Sequence, residues 1–159
     1  MADRVTRRSA RAILLDGDDL LLIERNRPGS PPYKVTIGGG CELEDASLED
    51  TLRREAGEEA GAVIDIVMQV LLLTDEQPGG AISVQHFFLA TLVEMDLSRR
   101  TGPELLRPER GGYQIVRVPF TGEHLGAVDL RPARLADYLR ANWRGLAATA
   151  GRPPTAAAN

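Results

Sequence analysis

Two apolar, branched runs flank Asp16-Gly17 in "ARAILLDGDDLLLIER", and that pattern predicts a β-hairpin. "NRPGSPP" follows as a loop, by its prolines and glycine. "YKVTI", Tyr33 to Ile37, reads as a short strand that runs into a glycine loop, Gly38-Gly39-Gly40. From Ser47 to Ala60 the period becomes helical, with Ser47 as N-cap, Asp50 as its capping-box partner and Gly61 as the stop. "AVIDIVMQVLLL" and "AISVQHFFLATLV" predict two further strands, divided by the turn-rich "TDEQPGG". Residues 94–112 read as a polar loop and "YQIVRVPF" as a last strand. "RPARLADYLRANWRGL" predicts a closing helix, with Pro132 near its first turn and Leu135, Leu139 and Leu146 on one face. The order of elements predicts an α/β fold with a mixed sheet between helices. It places one domain over residues 1–146 and a low-complexity tail over 147–159.

The helix over Ser47–Ala60 is locally poor. Gly57 in its interior costs about 1 kcal/mol against alanine. Glu55, Glu58 and Glu59 crowd one turn, and each like-charged neighbour adds roughly 0.2–0.5 kcal/mol. With Glu55 as the origin, 100° steps put Leu48 at about 20°, Leu52 at about 60° and Glu59 at about 40°. Glu58 falls at about −60°. Glu55 and Glu59 therefore continue the leucine stripe that faces inward. Two such charges about 5 Å apart repel by roughly 3 kcal/mol at an effective dielectric near 20. Arg54, beside Glu58, offsets part of this, and a hard divalent cation would offset the rest. Alone, three glycines after a strand read as a flexible turn. Beside an acidic helix at fixed spacing they offer close backbone approach to a ligand or metal.

Composition narrows the partners. The chain has 159 residues and a net charge of −4, from 19 basic and 23 acidic side chains. That balance argues against nucleic-acid and acidic-membrane partners, and it obliges a highly anionic substrate to find a local cationic device. Cys41 is the only cysteine, so no intramolecular disulfide forms. The apolar runs are too short to span a bilayer, and the N-terminus has no signal-peptide pattern, which predicts a cytoplasmic protein.

"GGGCELEDASLEDTLRREAGEEAGA" resembles the Nudix box, G-x5-E-x7-R-E-U-x-E-E-x-G-U, where U is aliphatic. The second half, Arg54 to Ala62, matches in full. The first half departs: ungapped counting sets Ala46 at the first acid position, and one inserted residue sets Asp45 there and Gly39 at the first glycine. The resemblance implies an α/β/α sandwich and hydrolysis of a nucleoside diphosphate linked to another group, a small nucleotide-type substrate. It implies Glu55, Glu58 and Glu59 as ligands of Mg²⁺ or Mn²⁺, with a backbone carbonyl at Gly39 nearby. Arg54 would hold a carboxylate by paired hydrogen bonds. Similar proteins commonly form homodimers. Two other readings stay open. One is a module on the same fold that binds a nucleotide or nucleotide-sugar without cleaving it. The other is isoprenyl-diphosphate isomerisation, for which no clear cysteine–glutamate pair is seen.

Other residues admit a functional and a plainer reading. Glu104 and Glu109 are candidate acids from outside the box, or solubilising charge. Arg25, Arg27 and Lys34 flank the approach to the glycines and are candidates to grip phosphates, or surface charge. Arg25 and Lys34, with Gly38, Gly39 and Gly40, form the substrate-side set, to which His86 is added as a contact. His86 alternates with Val84 and Phe88, which also suits a buried, hydrogen-bonded histidine. Cys41 reads as a packing residue. Tyr33, Phe87, Phe88 and Tyr113 suit core filling or base stacking.

Overall fold

The computed structural model describes residues 4–102 and 111–151. The predicted hairpin is formed by β1 (Arg4–Asp16) and β2 (Asp19–Asn26), with Gly17 in the turn at φ 60°. These strands pair only at the turn end, Leu14–Asp16 against Asp19–Leu21. Beyond that point other partners take the facing edges. β3 (Tyr33–Val35) pairs with β2, and β4 (Ile37–Gly40) pairs with β1 from Ser9 to Ala12. One extended segment thus crosses from one arm of the hairpin to the other.

The three glycines are therefore strand, not the expected loop. The free edge of β1 supplies hydrogen-bond partners for their backbone, which a loop would leave to water. The crossing is tight at Gly38, which has φ 146°, and a Cβ there would lie 2.1 Å from the carbonyl oxygen of Ala10. Only glycine fits.

The other edge of β1 pairs in parallel with β6 (Ala81–Met95), and β6 pairs antiparallel with β5 (Ala62–Glu76). β7 (Gly112–Pro119) lies antiparallel on the outer edge of β2. The mixed sheet has seven strands, with β5 at one edge. Exposed Val63, Val67, Met68 and Leu72 lie along this irregular edge strand.

Period-two alternation sends side chains to two cores. Ala10, Ala12, Leu14, Leu21 and Ile23 pack with Leu52, Ala56 and Ala60 of α1 (Leu48–Ala60). Ile13, Leu15, Leu20, Leu22, Phe87 and Leu89 pack with Leu125 of α2 (Gly122–Gly126) and with Leu135, Leu139, Trp143 and Leu146 of α3 (Ala133–Thr149). The result is the expected α/β/α sandwich. The closing helix runs past Leu146 to Thr149, because Ala147 also enters the core. The region expected as a polar loop starts later than predicted: Glu94 and Met95 complete β6, and a 3₁₀ turn spans Leu97–Arg99. Among the described residues no helix is long and apolar enough to cross a membrane.

Candidate active site

Helix α1 starts and stops where its caps dictate. Ser47 has extended backbone angles, and its hydroxyl oxygen accepts from the Asp50 amide at 3.1 Å. Such a cap stabilises a helix by about 1 kcal/mol. Gly61 closes the other end at φ 59°, its amide donating to the Gly57 carbonyl at 2.9 Å. Between these points Glu55 and Glu59 lie on the buried stripe, each about 9% exposed, beside Leu52 and Ala56. Glu58 stands at the margin with its side chain 32% exposed.

Arg54 organises the acids. Its Nε and Nη2 donate to the two carboxylate oxygens of Asp45 at 3.1 and 3.0 Å. Nη2 also donates to the Gly40 carbonyl at 3.1 Å. Nη1 reaches Glu55 Oε1 at 3.2 Å and Glu58 Oε2 at 3.3 Å, with Glu42 at 3.6 Å. The guanidinium therefore ties the end of β4, the following loop and α1 together. Asp45 is held in turn by the Glu42 amide at 2.9 Å and the Thr51 hydroxyl at 2.8 Å. The bonds from Arg54, then that from the Glu42 amide, keep the Asp45 carboxyl well below its usual range. The same pairing raises the pKa of Arg54. The one-residue offset in the first half of the box thus leaves an acid on this arginine: Asp45, not Ala46, makes the paired bonds.

Gly39 and Glu55 are in direct apposition. A Cβ on Gly39 would sit 2.4 Å from Glu55 Oε1 and 2.5 Å from its carboxyl carbon. The missing side chain leaves a cradle in which the carboxylate meets the backbone of β4. Arg11 approaches from the neighbouring strand, its Nη1 donating to the Gly38 carbonyl at 3.0 Å. Burial lowers the pKa of Arg11, the fields of Glu59 and Glu55 oppose that, and Arg7 adds to the lowering. Repulsion among the inward acids is thus balanced in part by two guanidiniums, Arg54 and Arg11. The sequence pattern alone attributed that balance to Arg54 and a cation.

The donors suit Mg²⁺ or Mn²⁺ in kind: carboxylate oxygens on one helix beside the half-buried glycine backbone of β4. They do not form a finished cage. Among the described residues no three Asp, Glu, His or Cys side chains converge as a ligand set. Arg54 holds Glu55 and Glu58 in its own hydrogen bonds instead. Incomplete protein ligation is ordinary for Mg²⁺, which keeps waters and takes substrate phosphates as ligands.

The remaining candidates are placed as follows. Lys34 pairs with Glu24 at 3.3 Å. His86 is buried, with Nε2 2.8 Å from Arg8 Nη1 and Nδ1 3.2 Å from Gln69 Oε1. Since the guanidinium can only donate, Nε2 accepts and Nδ1 carries the proton. Burial, then the charge of Arg8, lowers the pKa of His86. Cys41 lies 3.0 Å from the Thr51 hydroxyl and is exposed. Tyr113 is stacked by Arg25 at 3.8 Å and Tyr33 by Arg131 at 4.2 Å, so each ring has one face covered by a cation. Glu104 and Glu109 lie outside the described residues.

Beside the acids opens a cavity of about 260 Å³, lined by Arg11, Arg25, Val35, Gln85, Arg131 and Pro132 among others. Of its three arginines, only Arg25 was singled out from the sequence. Arg11 carried a signal that went unread, a lone charge inside the apolar alternation of "ARAILL". Arg131 had none, since it reaches this place by the pairing of Leu130 with Lys34 of β3, the Arg131 amide donating to the Lys34 carbonyl at 2.9 Å.

A family model for the NUDIX domain matches residues 5–116. The chain belongs to the Nudix family. That match covers the hairpin, the box on α1 and the strands as far as the middle of β7. Solved structures share the fold across most of the chain. A NUDIX hydrolase from Nitrosomonas europaea superposes with a TM-score of 0.66 at 16% identity, covering 96% of this chain and 95% of its own. The E. coli ORF135 protein gives 0.61 at 21% identity, with 96% of each chain covered. A MutT NUDIX hydrolase from Burkholderia pseudomallei gives 0.59 at 19% identity, covering 82% of this chain and 94% of its own. No functionally curated protein matches the chain. Membership in the Nudix family supports a hydrolase of nucleoside diphosphate derivatives.

Proposed function

We propose that the protein hydrolyses the pyrophosphate bond of a nucleoside diphosphate linked to a further group, with Mg²⁺ or Mn²⁺ as cofactor. The observation that carries this reading is the seating of Glu55 against Gly39 beside Arg54, with Glu58 and Glu59 on the same helical turn. Glu55, Glu58, Glu59 and the Gly39 carbonyl are the groups that would hold the cation. A divalent cation so held neutralises pyrophosphate charge and favours ionisation of a water. The chain's own contribution is positional. Arg54, pinned by Asp45 and the Gly40 carbonyl, sets the orientation of Glu55 and Glu58. Gly39, lacking a side chain, leaves room for the Glu55 carboxylate to sit against the backbone of β4. Buried Leu52 and Ala56 fix the helix to the sheet, so that the acids cannot drift from β4.

The test is a screen of nucleoside triphosphates, nucleotide-sugars and dinucleotides with Mg²⁺ and Mn²⁺, read by mass. Products split at a phosphoanhydride bond are expected. Glu58→Gln and Glu59→Gln should each lower turnover more than tenfold with the fold intact, as unchanged circular dichroism would show. Recovery of every compound intact, with one of them raising the melting temperature, would replace hydrolysis by simple binding.

A further inference from the structure

The cavity beside the acids is more cationic than a nucleoside pocket requires. Three guanidiniums reach it, and no carboxylate is among its lining residues. Among the described residues, Arg11 Nε and Arg25 Nε are buried without a hydrogen-bond partner. Burying a charged donor unsatisfied costs more than burying a neutral one. Arg25 is held by the face of Tyr113 and Arg131 by that of Tyr33, which fixes both planes without using up their N–H groups. Arg131 also donates to both Asp129 carboxylate oxygens, from Nε at 3.4 Å and from Nη2 at 3.2 Å, with both side chains half exposed to screening water. Pro132, at the N-cap of α3, adds a further positive feature. It makes no side-chain capping bond, so the positive end of a long helix faces the cavity without a carboxylate cap.

Arg11 links the cavity to the acidic site, lining the one and lying within the field of Glu59 and Glu55 in the other. Arg11 donates to the Gly38 carbonyl, and the adjoining Gly39 touches Glu55. At about 260 Å³ the space is below the roughly 300–1,000 Å³ of pockets for drug-sized ligands, and suits a compact group.

We propose that this cavity binds a phosphoryl group of the substrate other than the diphosphate held at the acids, so that the protein selects substrates bearing an additional phosphate. The inference rests on the hydrolase reading for its catalytic consequence, but the binding of phosphate does not. Inorganic phosphate, added to metal-free, desalted protein, is the direct probe. It is expected to raise the melting temperature by about 3 °C at about ten times its dissociation constant. Arg131→Gln and Arg25→Gln should each abolish most of that shift. Arg131 is half exposed, so its replacement keeps the fold and guards against unfolding in Arg25→Gln; Arg11 is left unaltered because it also donates to the Gly38 carbonyl of β4.

The second measurement is kcat/KM, with Mg²⁺, for pairs differing by one phosphate: NADPH against NADH, and coenzyme A against its 3′-dephospho form. The phosphorylated member of at least one pair should be preferred more than tenfold, and Arg131→Gln should erase most of that preference. A phosphate shift that is absent, or that survives in both variants, overturns the proposal, as does equal kcat/KM within both pairs. Loss of all turnover alongside an arginine-dependent phosphate shift would instead count against the hydrolase reading and leave the phosphate site standing.

Discussion

Replacing Gly39 by alanine tests the apposition at the centre of the site. The added methyl would lie 2.4 Å from Glu55 Oε1 and 2.5 Å from Cδ. To regain ordinary contact the carboxylate must retreat by about 1 Å. It is the far end of a flexible side chain, and Gly39 has no positive φ, so the strand tolerates the change. The retreat weakens the 3.2 Å bond from Arg54 Nη1 to Glu55. A hydrogen bond to a charged group contributes about 1.5–3 kcal/mol, and partial loss sets the stability cost near 1 kcal/mol. For a domain of this size that corresponds to about 2–4 °C in melting temperature. Function suffers more, because a misplacement of about 1 Å in a catalytic arrangement costs on the order of 100-fold. Thermal unfolding, Mn²⁺ binding by titration calorimetry and turnover on the best screened substrate provide the three readouts. Gly39→Ala with wild-type Mn²⁺ affinity and turnover would refute the argument that Glu55 is positioned by the absence of a side chain. Unfolding of the variant would refute the claim that the carboxylate, rather than the backbone, gives way.

The neighbouring glycine should behave in the opposite manner: Gly38→Ala meets backbone at 2.1 Å with φ 146° and should abolish soluble, folded protein in an expression and melting assay. Gly57→Ala finds open space around the new methyl and should raise stability by about 1 kcal/mol, measured by urea denaturation. Asp45→Asn should lower the melting temperature at neutral pH by breaking the paired bonds to Arg54. The folded pKa of Asp45 is depressed below 3.8, so its contribution is complete above that pH and lost as pH falls further. The stability gap between wild type and Asp45→Asn should therefore narrow below pH 3.8, and a gap that stays constant down to acid unfolding would exclude this linkage. Leu52→Ala, at a fully buried position between α1 and the sheet, should cost about 2–5 kcal/mol in the same urea assay.

What the sequence determined by itself was whatever is encoded within a turn or two of chain. The hairpin at Asp16-Gly17, the bounds of α1 between Ser47 and Gly61, and the inward stripe that includes Glu55 and Glu59 follow from periodicity and capping. The contiguous half-box at Arg54–Ala62 carried the family for the same reason. Tertiary structure decided what depends on partners distant in sequence. Only the splaying of β1 from β2 turned the three glycines into strand, because only there does β1 present a free edge. The parallel pairing of β1 with β6 had no hairpin to announce it. Asp45 reached Arg54 despite the offset because the loop before α1 closes through the Glu42 amide and Thr51 hydroxyl, bonds that spacing does not reveal. Arg11, Arg25 and Arg131 meet around one cavity because the sheet and the start of α3 are packed together. Side-chain period is a local property, whereas convergence of charges is a property of the closed fold.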